Sequence, residues 1–179
     1  MNCQSFSLEP FPPGGPRPEV KITGNLARRG NTLAIRYKLQ GRLAGLAIPA
    51  AADLPARRHG LWKDTCLEFF LGIKNSPRYW EFNLSPAGHW NVYGFAAYRQ
   101  GMEEETAFRS LPFSVRSQPD SLLLALEVDL AKIVQADQAL KVAIAAAIKL
   151  AAGELIYWAL THPGSQADFH RRDGFLVEL

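Results

Sequence analysis

LWKDTCLEFFLGIKNSPRYWEFNLSPAGHWNVYGFAAYRQGM (Leu61–Met102) decides the reading of this chain. Three runs of strand character follow one another, from about Lys63 to Ile73, Arg78 to Leu84 and Trp90 to Tyr98. Asn75-Ser76-Pro77 and Ser85-Pro86-Ala87-Gly88 separate them, and both are made of turn-forming residues. Side chains two apart on a strand share a face. One face therefore carries Leu67, Phe69 and Leu71, then Trp80, Phe82 and Leu84. Burying each such side chain is worth about 1.5–3 kcal/mol, which makes this face the core. The opposite face carries Cys66, Glu68 and Phe70, then Tyr79, Glu81 and Asn83, then Asn91, Tyr93 and Phe95. If the strands pair as successive hairpins, Glu68, Glu81, Asn83, Asn91 and Tyr93 make one continuous surface. Arg99, just past the last strand, can reach it.

That surface has two readings. It is either the solvated outer face of a sandwich or a concave site. In the second, carboxylate and amide groups grip sugar hydroxyls while aromatic rings stack on the apolar face of the sugar. Glycoside hydrolysis needs two carboxylates about 5 to 9 Å apart across a scissile bond, and Glu68 and Glu81 can satisfy that spacing on adjacent strands.

Outward from this stretch the pattern remains β. PFPPGGPRP (Pro10 to Pro18) excludes regular structure and links a first strand to the rest. VKITGNLARRGNTLAIRYKLQG reads as two strands turning near Arg29-Gly30-Asn31, and residues 42–60 read as loop. Another hairpin spans Leu111 to Arg116 and Ser121 to Val128. Asp129 is placed to cap a short helix through about Gln135, because its carboxylate can accept orphan backbone amides. Leu140 to Ala151 suits either a helix, from its alanines, or a central strand. Leu155 to His162 and Phe175 to Leu179 complete the set. About ten short strands and one short helix at most predict an all-β, antiparallel β-sandwich or jelly roll.

Composition bounds the function. A chain of 179 residues, 47% hydrophobic and 21% charged, suits a single globular domain over residues 1–179. The net charge of +3 is small. The doublets Arg28/Arg29, Arg57/Arg58 and Arg171/Arg172 are scattered and read as solvated loop arginines, so no nucleic-acid partner is expected. Cys3 and Cys66 form no disulfide framework, and Cys66 reads as a buried small side chain. VAIAAAIKLAA (Val142 to Ala152) is too short to span a membrane and carries Lys149. MNCQSFSLEPFPPGG has no signal-peptide character, so no membrane association and a cytoplasmic location are the expectation.

A second polar cluster, YWALTHPGSQADFHRRDGF (Tyr157 to Phe175), holds Thr161, His162, Asp168, His170 and Asp173. Its histidine spacing matches no common zinc pattern, and loop hydrogen bonds are the simpler role. No G-x-S-x-G elbow occurs, and Cys66 near His59 has no activating surroundings. Neither an enzyme nor a cofactor is predicted.

With these segments in view, the chain resembles the DOMON-like proteins related to carbohydrate-binding module family 9, in a branch of small stand-alone bacterial proteins. The resemblance rests on LWKDTCLEFFLGI, RYWEFNLSPAGHWNVYGFAAYRQGM and IYWALTHPGSQADFHRRDGFLVEL. It implies a β-sandwich that binds a sugar or, in cytochrome-type relatives, a haem. Sugar binders of this kind clamp the ligand between tryptophans. By motif position Trp62 and Trp158 are the implied clamp, with Glu68, Glu81, Asn83 and Arg99 as hydrogen-bonding partners; Asn91, Tyr93 and His162 are further ligand-binding candidates from the residues themselves. The haem alternative uses Met102 and His162 as axial ligands. A protein–protein interaction module, marked by an exposed apolar patch, is the remaining alternative.

Overall fold

The computed structural model describes residues 2–12 and 17–179. Residues 13–16, the centre of the proline-rich connection, lie outside the described residues. Among the described residues twelve strands form one curled sheet: β1 (Asn2–Phe11), β2 (Val20–Arg29), β3 (Thr32–Gly41), β4 (Cys66–Ile73), β5 (Tyr79–Leu84) and β6 (Trp90–Phe95) come first. They are followed by β7 (Glu103–Glu104), β8 (Phe113–Gln118), β9 (Ser121–Asp129), β10 (Leu140–Lys149), β11 (Leu155–Ala159) and β12 (Val177–Glu178). The order across the sheet is β7-β6-β5-β4-β10-β11-β1-β2-β3-β9-β8, with β12 beside β10. Neighbouring strands pair antiparallel throughout.

The sheet folds over on itself at β1. Residues Asn2 to Leu8 pair with β2, whereas Glu9 to Phe11 pair with β11. The strand thus passes from one layer to the other, and the sequence reading of Pro10 and Phe11 as irregular is corrected. Pro10 sits past the last β2 pair, where a strand tolerates the missing N–H.

The core lies between the layers. Leu33, Ile35, Tyr37 and Leu39 of β3 join Leu67, Phe69, Leu71, Trp80, Phe82 and Leu84 in one cluster. The Phe69 and Phe82 rings stack with centroids 4.4 Å apart. Tyr37 crosses the gap and donates its hydroxyl proton to the Glu68 carbonyl at 2.7 Å, which ties the two layers together. The expected inward phase of β4 and β5 is therefore the observed one.

Two expectations are corrected and one open choice is decided. Asp129 Oδ1 does accept an amide, from Ala131 at 2.9 Å. The chain then makes only a turn, with Ile133 and Val134 both donating to the Leu130 carbonyl, and no helix follows. Alanine-rich β10 is a strand, because it lies between β4 and β11 with both faces buried, and that burial overrides helix propensity. The arginine doublets are not simply solvated. Arg28 donates to the Gly30, Gln135, Ala136 and Gln138 carbonyls, and Arg57 to those of Glu105 and Phe108. Arg172 donates to Ile73 and Ser76. One arginine of each pair is a loop staple. Among the described residues no helix is long and apolar enough to cross a membrane.

Candidate ligand-binding site

The register of the central hairpins sets the site. Glu68 lies opposite Asn83, Asn83 opposite Asn91, and Glu81 opposite Tyr93. Glu68 and Glu81 are diagonal neighbours, about 7–8 Å apart at the backbone. On the other side of β4, Ala143, Ala145 and Ala147 stand opposite Phe70, Glu68 and Cys66, and Ala159 of β11 stands opposite Ala145. Ala143, Ala145 and Ala159 are buried with Phe70, Tyr79, Tyr93, Phe95 and Phe175 in a second apolar cluster.

The face is not solvated. Glu68 and Glu81 are 2% and 4% exposed, and Asn83 and Asn91 are fully buried. Segments from 57–62 and 168–175 cover it, bringing Trp62, Phe169 and Phe175 against Phe70, Tyr79, Tyr93 and Phe95. Between cover and sheet remains a cavity of about 350 Å³. Trp62, Phe95, Tyr157 and Phe169 supply its aromatic walls, and Met102 stands with them. Glu68, Glu81, Arg99, Asp168 and His170 supply its polar groups. The volume falls at the small end of the roughly 300–1,000 Å³ typical of small-molecule sites.

Hydrogen bonds hold most of these groups in place. Asn83 Nδ2 donates to Glu81 Oε1 at 2.9 Å, and Glu81 Oε2 lies 3.8 Å from His170 Nε2. Glu68 Oε1 is buried without a partner. Burial pushes the Glu68 carboxyl well above its usual range, and the nearby Glu81 charge adds to this. Burial also raises Glu81 to about 7, against the opposing pull of Asn83 and the Arg99 guanidinium. Burial and Arg99 lower His170 to about 4, so its imidazole is neutral at pH 7. Arg99 Nη2 donates to Asp168 Oδ1 at 2.8 Å, and Tyr98 donates to Asp168 Oδ2. Burial works against the Asp168 carboxylate, but these bonds outweigh it and hold its pKa below the usual value.

Two tyrosine–histidine pairs brace the cover. The Tyr79 hydroxyl accepts the Arg99 amide at 3.1 Å and meets His170 Nδ1 at 2.9 Å. Its own proton has an acceptor only if Nδ1 is bare, so the neutral imidazole carries its hydrogen on Nε2. Tyr93 repeats the arrangement: it accepts Asn91 Nδ2 at 2.8 Å and meets His59 Nδ1 at 3.0 Å. The His59 ring then stands edge-on to Trp62, centroids 5.1 Å apart, and positions it.

The structure sorts the sequence candidates. Trp62, Glu68, Glu81, Arg99 and Met102 line the cavity. Asn83 and Asn91 act from behind, Asn83 on Glu81 and Asn91 on Tyr93, while Asn91 Oδ1 also accepts Arg57 Nη1 at 2.7 Å. Trp158 is a correction: it is 2% exposed in the inter-layer core, on the opposite face of β11. His162 is a second one. Its Nε2 meets the Glu9 carbonyl at 2.8 Å and its ring lies against Phe11, so it neither lines the cavity nor joins Met102 as a haem ligand pair. Tyr157, Phe169, Asp168 and His170 are the residues that sequence reasoning did not place in the site. Tyr157 was recoverable from strand parity with Ala159; the others sit on a loop with no periodic signal.

No family model matches the sequence, and no curated protein matches it. Solved structures do. A protein from Bacteroides uniformis to which carbohydrate binding has been ascribed superposes with a TM-score of 0.72 over 96% of this chain and 84% of its own, at 14% identity. A carbohydrate binding module of family 9 from Caldicellulosiruptor kristjanssonii in complex with glucose gives 0.51 over 84% of this chain and 71% of its own, at 9% identity. Its complex with cellotriose gives the same score and identity over 84% and 70%. The chain has the fold of carbohydrate-binding modules.

Proposed function

We propose that residues 1–179 form one non-enzymatic binding domain for a small saccharide or sugar-derived metabolite, of the DOMON-like kind related to carbohydrate-binding module family 9. The observation that carries this reading is the cavity itself: aromatic walls from Trp62, Phe95, Tyr157 and Phe169 around the polar groups Glu68, Glu81, Arg99, Asp168 and His170. Sugars present the same division, with apolar C–H faces and a belt of hydroxyls. Family 9 modules in complex with glucose and cellotriose share the fold, which supports the ligand class.

The likeness to carbohydrate-binding proteins and modules supports binding without turnover. Glu68 and Glu81 rise from one face of two adjacent strands.

The test is a thermal-shift screen of neutral, amino and uronic sugars at millimolar concentration, with Trp62→Ala as control. A stabilising sugar whose effect is lost in the variant supports the reading. Silence across the panel overturns it.

A further inference from the structure

We propose that the cavity takes a ligand bearing a protonated amine, held between Glu68 and Glu81. The inference names the ligand class of the site described above; on the saccharide reading, on which it rests, the ligand is an amino sugar.

Three observations carry it. Glu68 is 98% buried on the cavity wall, yet its Oε1 has no partner among the described residues. Glu81 uses Oε1 for Asn83 and leaves Oε2 with only His170 at 3.8 Å. Two carboxyls therefore each keep an oxygen in reserve. The acceptor set also outnumbers the cations. Arg99 is engaged by Asp168, and His170 is neutral. Lastly, the walls are aromatic, and ring faces attract cations. An ammonium group offers three donors, whereas a sugar hydroxyl offers one. It can donate to Glu68 and Glu81 together and offsets one of their two negative charges.

Proton linkage follows. Glu68 faces Glu81 and Cys66; Glu81 faces Asn83, Arg99 and His170, with Tyr79, Tyr93 and Asp168 around them. Both carboxyls hold protons more tightly than exposed ones, and an ammonium favours an ionised carboxyl over a protonated one. Binding therefore releases protons to solvent, and affinity climbs from pH 5 to pH 7.5.

Isothermal titration at pH 7.5 with glucose, glucosamine, N-acetylglucosamine and ethanolamine tests this, in two buffers of different ionisation enthalpy. Glucosamine is expected to bind at least about tenfold tighter than glucose and N-acetylglucosamine, with proton release. Glu68→Gln and, independently, Glu81→Gln should bring the amine and neutral sugars within about twofold. Equal binding of the three sugars overturns the inference and leaves the saccharide reading intact. Binding of ethanolamine with no sugar response supports the inference and overturns the saccharide reading. No binding by any of the four overturns both.

Discussion

The Tyr79 hydroxyl lies 2.9 Å from His170 Nδ1, although 91 residues separate them in sequence. Tyr79 belongs to the sheet floor and His170 to the covering loop, so one hydrogen bond joins the two sides of the cavity. It also sets the proton on Nε2, facing Glu81. The floor and the cover are thus one electrostatic unit.

His170 should stay neutral down to acidic pH. Its folded pKa is lowered to about 4 from 6.5, so the stability it contributes is present above pH 6.5 and is lost as pH falls through about 4. Nitrogen-detected NMR should show the Nε2–H tautomer at pH 6. Tyr79→Phe should mix the two tautomers without unfolding the sheet. A protonated imidazole at pH 6 in the unaltered protein would refute the assignment.

Glu81 works in the opposite sense. Its folded pKa, about 7, exceeds the ordinary value of 4.5, so its contribution is complete below pH 4.5 and is lost as pH rises through 7. The loss is on the order of 3 kcal/mol. Glu81→Gln keeps the acceptor for Asn83 and removes the titration. The variant should match the parent in melting temperature near pH 4.5 and exceed it by several degrees at pH 8.5, measured without ligand.

The tryptophans separate stability from binding. Trp158→Ala should cost about 3–5 kcal/mol, because it empties part of the inter-layer core. Trp62→Ala removes a partly buried cavity wall and should cost less stability than Trp158→Ala while weakening sugar binding about tenfold or more. Denaturant melts alongside titrations of both variants check this. A reversed pattern would place the clamp where the sequence first suggested it.

Arg172 latches the cover. It lies across Gly72, where an added Cβ would stand 1.7 Å from its Nη1, and its guanidinium packs over Phe175, 4.7 Å from the ring centroid. Gly72→Ala should dislodge it. Hydrogen exchange is expected to quicken in residues 168–175 while β4 and β5 remain protected, with weaker ligand binding. Uniformly faster exchange across the sheet would instead make Arg172 part of the global fold.

Much of this protein was legible as sequence because the signals are local. Alternation from Leu67 to Leu71 and from Trp80 to Leu84 separates core from opposite face by parity alone, and Ser85-Pro86-Ala87-Gly88 closes its hairpin by turn chemistry. That is enough to align Glu68, Glu81, Asn83, Asn91 and Tyr93. What lies above that face is a matter of which distant segments pack on it. Only the tertiary structure covers it with residues from 57–62 and 168–175, makes β10 a strand by burying both its faces, and packs Ala143 and Ala145 into the cluster beneath that cover. The same packing sends Trp158 inward and turns Tyr157 to the cavity. The raised carboxyls and the neutral histidine arise from that enclosure too, since charge is penalised by the water a group has lost, and no sequence pattern records which groups lose it.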